Sequence, residues 1–186
     1  MSNQKLVQIK TAGFILKPDD PEIKTLYERI KAEFEARGIA VLLAERSANM
    51  IGEEGIAFES MCAEADFLVS LGGDGTLLSL VRRSYGFHKP VVGINAGTLG
   101  FLADVTIDEV DNFLDTLLSD EYRIDDRMMI EGYLKTKAGE KQNFIAFTPL
   151  SECNFHCSKS LSISVRFMIE RRPILVILIL PALARR

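Results

Sequence analysis

The sequence predicts an α/β protein built on a parallel sheet, and three observations carry that prediction. Through the first 120 residues, short apolar runs alternate with stretches whose apolar residues recur at helical spacing. The short runs are apolar almost throughout, as strands are when helices cover both faces of their sheet. Two of them end in polar, glycine-rich turns, after Leu71 and after Ile94, where a parallel sheet would end.

Each element follows in order. Thr11 to Leu16 reads as the first strand, and Lys17-Pro18-Asp19-Asp20-Pro21 as the loop that closes it and starts a helix. Ile23, Leu26, Tyr27, Ile30 and Phe34 then form an apolar stripe opposed by Glu22, Lys24, Glu28, Arg29, Lys31, Glu33 and Glu35, and Gly38 stops the helix. Ile39 to Leu43 is expected as a second buried strand, Ala57 to Ala65 as a helix and Phe67 to Leu71 as a strand. Thr76 to Tyr85 is expected as helix, Pro90 to Ile94 as strand, and Ile107 to Leu118 as a helix with Val110, Phe113, Leu114 and Leu117 facing inward.

After Asp120 the pattern changes. Arg123 to Thr136 alternates loosely, Lys137-Ala138-Gly139-Glu140 supplies a turn, and Asn143 to Phe147 is extended again, which predicts a β-hairpin opening a β-rich second domain. A further break falls near Thr148. All 13 glycines lie at or before Gly139, and residues 148–186 carry six basic and two acidic residues against 16 and 24 in the segment before them. The expected organisation is therefore an α/β domain over 1–120, the start of a β-rich domain over 121–147, and an aberrant tail over 148–186.

Composition narrows the class. At 47% hydrophobic and 26% charged residues, 186 residues can bury an ordinary core, and a net charge of −4 gives no basic footprint for nucleic acid. Cys62, Cys153 and Cys157 are an odd set without a disulfide framework, which fits a reducing cytoplasm, and no secretory signal is visible. The apolar run Ile174 to Leu180 is far short of the roughly 20 residues a membrane helix needs, so no membrane role is expected, and it reads instead as an aggregation-prone strand or an orphan segment. Cys153, His156 and Cys157 do not complete a tetrahedral metal site, and no protein-held metal site is expected.

The chemistry concentrates in Phe67-Leu68-Val69-Ser70-Leu71-Gly72-Gly73-Asp74-Gly75-Thr76-Leu77-Leu78. A strand feeding a glycine-rich turn that opens a helix lets backbone N–H groups and the positive helix end approach a phosphate. An acid in that turn calls for a reason: Asp74 either bridges a metal or takes a proton from an attacking hydroxyl. The plainer alternative is a tight turn with Thr76 as helix cap. A second polar turn, Asn95-Ala96-Gly97-Thr98-Leu99-Gly100-Phe101-Leu102, can face the same crevice. Asn95 either bonds a ligand there or closes its own turn. Leu99 and Phe101 either wall a pocket or join the core.

The pair G-G-D-G-T-L-L at 72–78 and N-x-G-T-L-G-F-L at 95–102 resembles the NAD kinases, from about Thr11 to about Phe147. The diacylglycerol-type lipid kinases share the first element but continue with G-T-G-N-D, where this chain has Gly97-Thr98-Leu99-Gly100-Phe101. The resemblance implies transfer of the ATP γ-phosphate to the 2′-hydroxyl of the adenosine ribose of NAD, with magnesium, ATP and NAD as partners and a homo-oligomer as one assembly. It implies Asp74 as general base, and Gly72, Gly73, Gly75, Thr76, Asn95, Leu99 and Phe101 as nucleotide contacts. After Phe147 the family carries an Asn-acid pair, a G-D-G turn and T-P-T-G-S-T-A-Y-N; this chain has Thr148-Pro149 and none of the rest. Impaired activity, an inactive nucleotide-binding fragment, and a frameshift near codon 148 are the expectations that follow from that departure.

Overall fold

A computed structural model describes residues 6–97, 102, 105–135, 141–147, 166–168 and 173–178. Strands β1 (Thr11–Leu16), β2 (Ala40–Leu43), β3 (Phe67–Gly72) and β4 (Val91–Asn95) form a parallel sheet in the order β2-β1-β3-β4. Residues Ala12 to Leu16 pair in register with Phe67 to Leu71, and Leu68 to Gly72 with Val91 to Asn95. The short β5 (Val105–Thr106) continues beside β4.

Alternate residues of these strands enter two separate cores, which is why the strands read as uniformly apolar. On one face Ala12, Phe14, Leu16, Phe67, Val69, Leu71, Val92 and Ile94 meet α1 (Ile23–Ala36) and α5 (Val110–Leu118). On the other, Ile15, Leu68 and Val91 meet α3 (Phe58–Glu64) and α4 (Asp74–Ser84). The first core is anchored by Phe14 and Phe34, ring centroids 5.1 Å apart and edge to face, with Phe67 stacked on Phe34 at 6.3 Å. Each such buried ring contributes roughly 1.5–3 kcal/mol of burial, plus a smaller aromatic pairing gain. The stripe predicted for α1 is buried at Ile23, Tyr27, Ile30 and Phe34, and Gly38 turns the chain at φ 76°, a left-handed conformation that a side chain would oppose.

Polar ties fix the layers. Asp66 Oδ2 accepts hydrogen bonds from the N–H groups of Lys10 (2.8 Å) and Thr11 (2.9 Å), setting where β1 starts beside β3. The Arg37 guanidinium reaches Glu33 on its own helix at 2.9 Å, and Asp111 (3.3 Å) and Asp115 (3.0 Å) on α5, fastening the two helices of that face.

The structure corrects the sequence reading in three places. The second strand is only partly buried: β2 is the outer strand of the sheet, Leu43 is buried but Ala40 is exposed and Val41 and Leu42 are half-buried, and among the described residues no further strand pairs along it beyond the isolated Ala44–Ile56 bridge. A further helix, α2 (Glu45–Ile51), follows it, ended by Gly52 at φ 72°. Helix α4 starts at Asp74 rather than Thr76, with Gly73 as its N-cap.

Beyond α5, β6 (Ile124–Lys135) and β7 (Lys141–Phe147) pair antiparallel from Met129↔Phe147 to Lys135↔Lys141, the hairpin the sequence predicts. β8 (Arg166–Met168) flanks β6, and β9 (Pro173–Leu178) runs antiparallel to β6 and parallel to β4 at Val91↔Val176, so much of the apolar run after Pro173 serves as a strand beside β4.

Candidate functional site

Order in the sheet locates the crevice. The chain leaves β1 towards β2 on one side and returns to β3 on the other, so the connections diverge between β1 and β3. Ligands of open α/β sheets bind at the carboxyl ends of strands at such a divergence. Both glycine-rich turns lie at that end.

The first turn is almost without length: β3 ends at Gly72 and α4 begins at Asp74. Gly73 is extended at φ −108° and ψ −170°, and its carbonyl accepts the N–H of Thr76 (3.0 Å) and Leu77 (3.2 Å), which starts the helix without a side-chain cap. Thr76 is therefore not the cap that the sequence allowed. It sits in the first turn, buried, because its side chain packs beneath Gly72 instead of turning back to the open N–H groups. The glycines divide accordingly. A Cβ on Gly72 would fall 2.4 Å from Thr76 Oγ1, so this glycine lets helix and strand close together, whereas Gly73 and Gly75 have open space where a Cβ would stand.

The second turn joins the first through backbone and carboxylate. Gly72 lies opposite Asn95, and the Ala96 N–H donates to the Gly72 carbonyl at 3.0 Å. Asn95 is 3% exposed, and its Oδ1 accepts the Gly97 N–H at 2.9 Å, so the side chain does close its own turn. Asp74 Oδ1 accepts the Leu102 N–H at 3.2 Å, which ties the acid to the far end of the second turn. Gly72, Gly73, Asp74, Gly75, Thr76 and Asn95 thus gather at one sheet end. Leu99 and Phe101, with Thr98, Gly100 and Asp104, lie outside the described residues, as do Cys153, His156 and Cys157.

On the β1 side of the Asp74 turn opens a cleft of about 190 Å³. Its walls are Leu16, Pro18 and Asp19 after β1, Arg46 and Ser47 at the start of α2, and Gly75, Thr76, Ser79 and Arg83 along α4. Ser47 is buried and accepts the Leu16 N–H on its Oγ at 3.0 Å, holding α2 against the end of β1. Arg83 lies with its guanidinium carbon 3.8 Å from the Phe58 ring centroid, a cation–π contact that sets the direction of the side chain. Neither Arg46 nor Arg83 is among the residues that the sequence singles out. A basic residue nine positions beyond Asp74 marks no local pattern, and α2 was not foreseen. Among the described residues no three His, Cys, Asp or Glu side chains gather as a metal site.

Comparison with known proteins converges on one family. A family profile described as the ATP-NAD kinase N-terminal domain matches residues 12–122. The NAD kinase of Wolinella succinogenes is 49% identical over 144 residues, covering 77% of this chain and 49% of that protein. The NAD kinase of Sulfurimonas denitrificans is 47% identical over 123 residues, covering 66% of this chain and 43% of its own. The chain therefore spans about half the length of the curated relatives it matches. Among solved structures, yeast NADH kinase complexed with NADH superposes with a TM-score of 0.59 at 20% identity, over 75% of this chain and 46% of that one, a likeness of fold.

Proposed function

The chain belongs to the NAD kinase family, and on that premise we propose that it serves transfer of the ATP γ-phosphate to the 2′-hydroxyl of the adenosine ribose of NAD, giving NADP and ADP. The observation that carries the reading is the Asp74 carboxylate, held at the sheet's carboxyl end by the Leu102 N–H of the second turn. In the reaction the 2′-oxygen attacks the γ-phosphorus as its bond to the β-bridging oxygen breaks. Asp74 accepts the hydroxyl proton, and ADP departs. A carboxylate in this turn supplies the proton acceptor that the step needs.

Gly73 and Gly75 leave backbone exposed to a phosphate, and the N-terminal end of α4 adds positive potential. Asn95, Leu99 and Phe101 form the nucleotide side in this reading. Phosphoryl transfer depends on alignment and charge neutralisation, and a divalent ion on the phosphates supplies part of the latter.

Asp74→Asn tests the assignment. NADP formation, followed with an NADP-specific dehydrogenase, should fall by about 10²–10⁴, the usual share of a general base, with the circular dichroism spectrum retained. Turnover unchanged at the same ATP and NAD would refute it. A second reading, a nucleotide-binding fragment without turnover, is favoured by Thr148-Pro149 standing where the family carries its Asn-acid pair. NAD binding by calorimetry without NADP formation would establish it, and another frame of the coding DNA should then show the missing motifs if the tail arose by frameshift.

A further inference from the structure

We propose that Thr106 and Glu109 are positioning residues for Asp74: their clasp fixes the downstream base of the second turn and so sets the Leu102 N–H against the carboxylate. The consequence for turnover rests on the phosphotransferase reading above; the coupling rests on the following geometry. The second turn is anchored unequally. Upstream it leaves β4, which pairs with β3 through Asn95, and the Ala96 N–H and the Asn95 side chain hold its first positions. Downstream it enters β5, whose two residues pair with β4 at Ile94↔Val105 and Asn95↔Thr106. Ordinary strands run to about five or six residues, so this ladder alone is a weak hold.

Glu109 strengthens it. Its Oε2 accepts the Thr106 hydroxyl at 2.6 Å and the Thr106 N–H at 3.0 Å. Hydrogen bonds to a carboxylate are roughly twice as strong as those between neutral groups. Glu109 closes the turn of 3-10 helix (Ile107–Glu109) that leads into α5. That helix is fixed in turn by its buried Val110, Phe113, Leu114 and Leu117 and by the Arg37 bridges to Asp111 and Asp115. The clasp therefore ties the exit of the second turn to the packed α1–α5 layer.

Leu102 stands within short reach of that anchor. It precedes Val105 by three positions, and three residues of chain extend at most about 11 Å. Val105 is buried in the core of the α1–α5 face, whereas Leu102 packs against the core of the α3–α4 face. The two ends of this short span thus belong to opposite faces of the sheet. Where Val105 and Thr106 are fixed bounds where Leu102 can stand, and its N–H is the one that Asp74 Oδ1 accepts at 3.2 Å.

The test is amide hydrogen exchange of the 186-residue protein, read at Leu102 by nuclear magnetic resonance. Glu109→Ala is expected to speed Leu102 exchange about tenfold, the worth of one charge-assisted bond, and Glu109→Gln, which keeps an acceptor, to restore most of the protection. Asp108→Asn, an equal charge change at the exposed neighbouring position, is expected to leave it unaltered. In an Asp74→Ala background, where the acceptor is gone, Glu109→Ala should add less than about twofold. Should Glu109→Ala fail to fold by circular dichroism, Thr106→Val, which removes only the hydroxyl donor, takes its place throughout. Leu102 exchange that is unchanged, or that speeds up equally with and without Asp74, overturns the proposal and leaves the clasp a purely structural cap. In NADP formation Glu109→Ala should also lower kcat severalfold. Unchanged kcat with Leu102 released, or no NADP from the parent chain, counts against the phosphotransferase reading, while the exchange result still decides the coupling.

Discussion

Gly72→Ala puts a methyl carbon into space the structure has already filled. The new Cβ would lie 2.4 Å from Thr76 Oγ1, 3.0 Å from Thr76 Cβ and 3.1 Å from Lys17 Cβ, and real Cβ atoms essentially never approach closer than 3.0 Å. Thr76 is buried in the first turn of α4, so relief requires the turn or the end of β3 to move. Overpacking of this kind costs about 1–3 kcal/mol. With a urea slope of about 1–3 kcal/mol per molar, the unfolding midpoint should fall by roughly 1 M while the slope stays constant. Thr76→Ala removes the nearest atom, so the double variant should recover about 1 kcal/mol relative to the sum of the two singles. Gly73→Ala, with open space at its Cβ position, should cost far less. An unshifted midpoint in Gly72→Ala, or effects that add within about 0.3–0.5 kcal/mol in the double variant, would refute the packing role and return Gly72 to the ligand-approach role the sequence implied.

Two further outcomes follow from buried groups. Ser47→Ala leaves the buried Leu16 N–H without its acceptor, so chemical denaturation should show a loss of about 1–3 kcal/mol; a loss under about 0.5 kcal/mol, ordinary for a surface site, would mean that another acceptor replaces Oγ. Burial pushes the Tyr27 hydroxyl up to about 12 and the Cys62 thiol up to about 11. Both groups keep their protons in the folded chain after the unfolded chain has lost them, so their contribution is complete below pH about 9 and declines as pH rises to about 12. Tyr27→Phe should flatten the upper part of that decline in equilibrium unfolding, and an unaltered slope would contradict it.

What the sequence made legible was set by local pattern. The stripe Ile23, Tyr27, Ile30, Phe34 repeats over enough turns to declare α1, and the apolar runs at Thr11, Phe67 and Pro90 mark strands covered on both faces. Helix α2 was not legible because seven residues give under two full turns of pattern. Burial of β2 was overestimated because an apolar run does not reveal which strand ends the sheet order. The Asp74 and Asn95 turns were readable as glycine-rich punctuation. The ties that shape the site, Asp74 to Leu102 and Ser47 to Leu16, join residues 28 and 31 positions apart through backbone N–H groups. Any residue but proline supplies such a donor, so neither tie leaves a compositional mark.

The Leu102 N–H bond to Asp74 makes the spacing of one loop a determinant of another loop's chemistry. Adding or removing one residue between Asn95 and Leu102 would displace that N–H from the carboxylate oxygen it meets. Selection on the acid should therefore act on the length of the second loop, even at positions that touch no ligand. In engineering terms, Asp74 can be re-aimed from seven residues beyond Asn95 with the G-G-D-G turn left as it is.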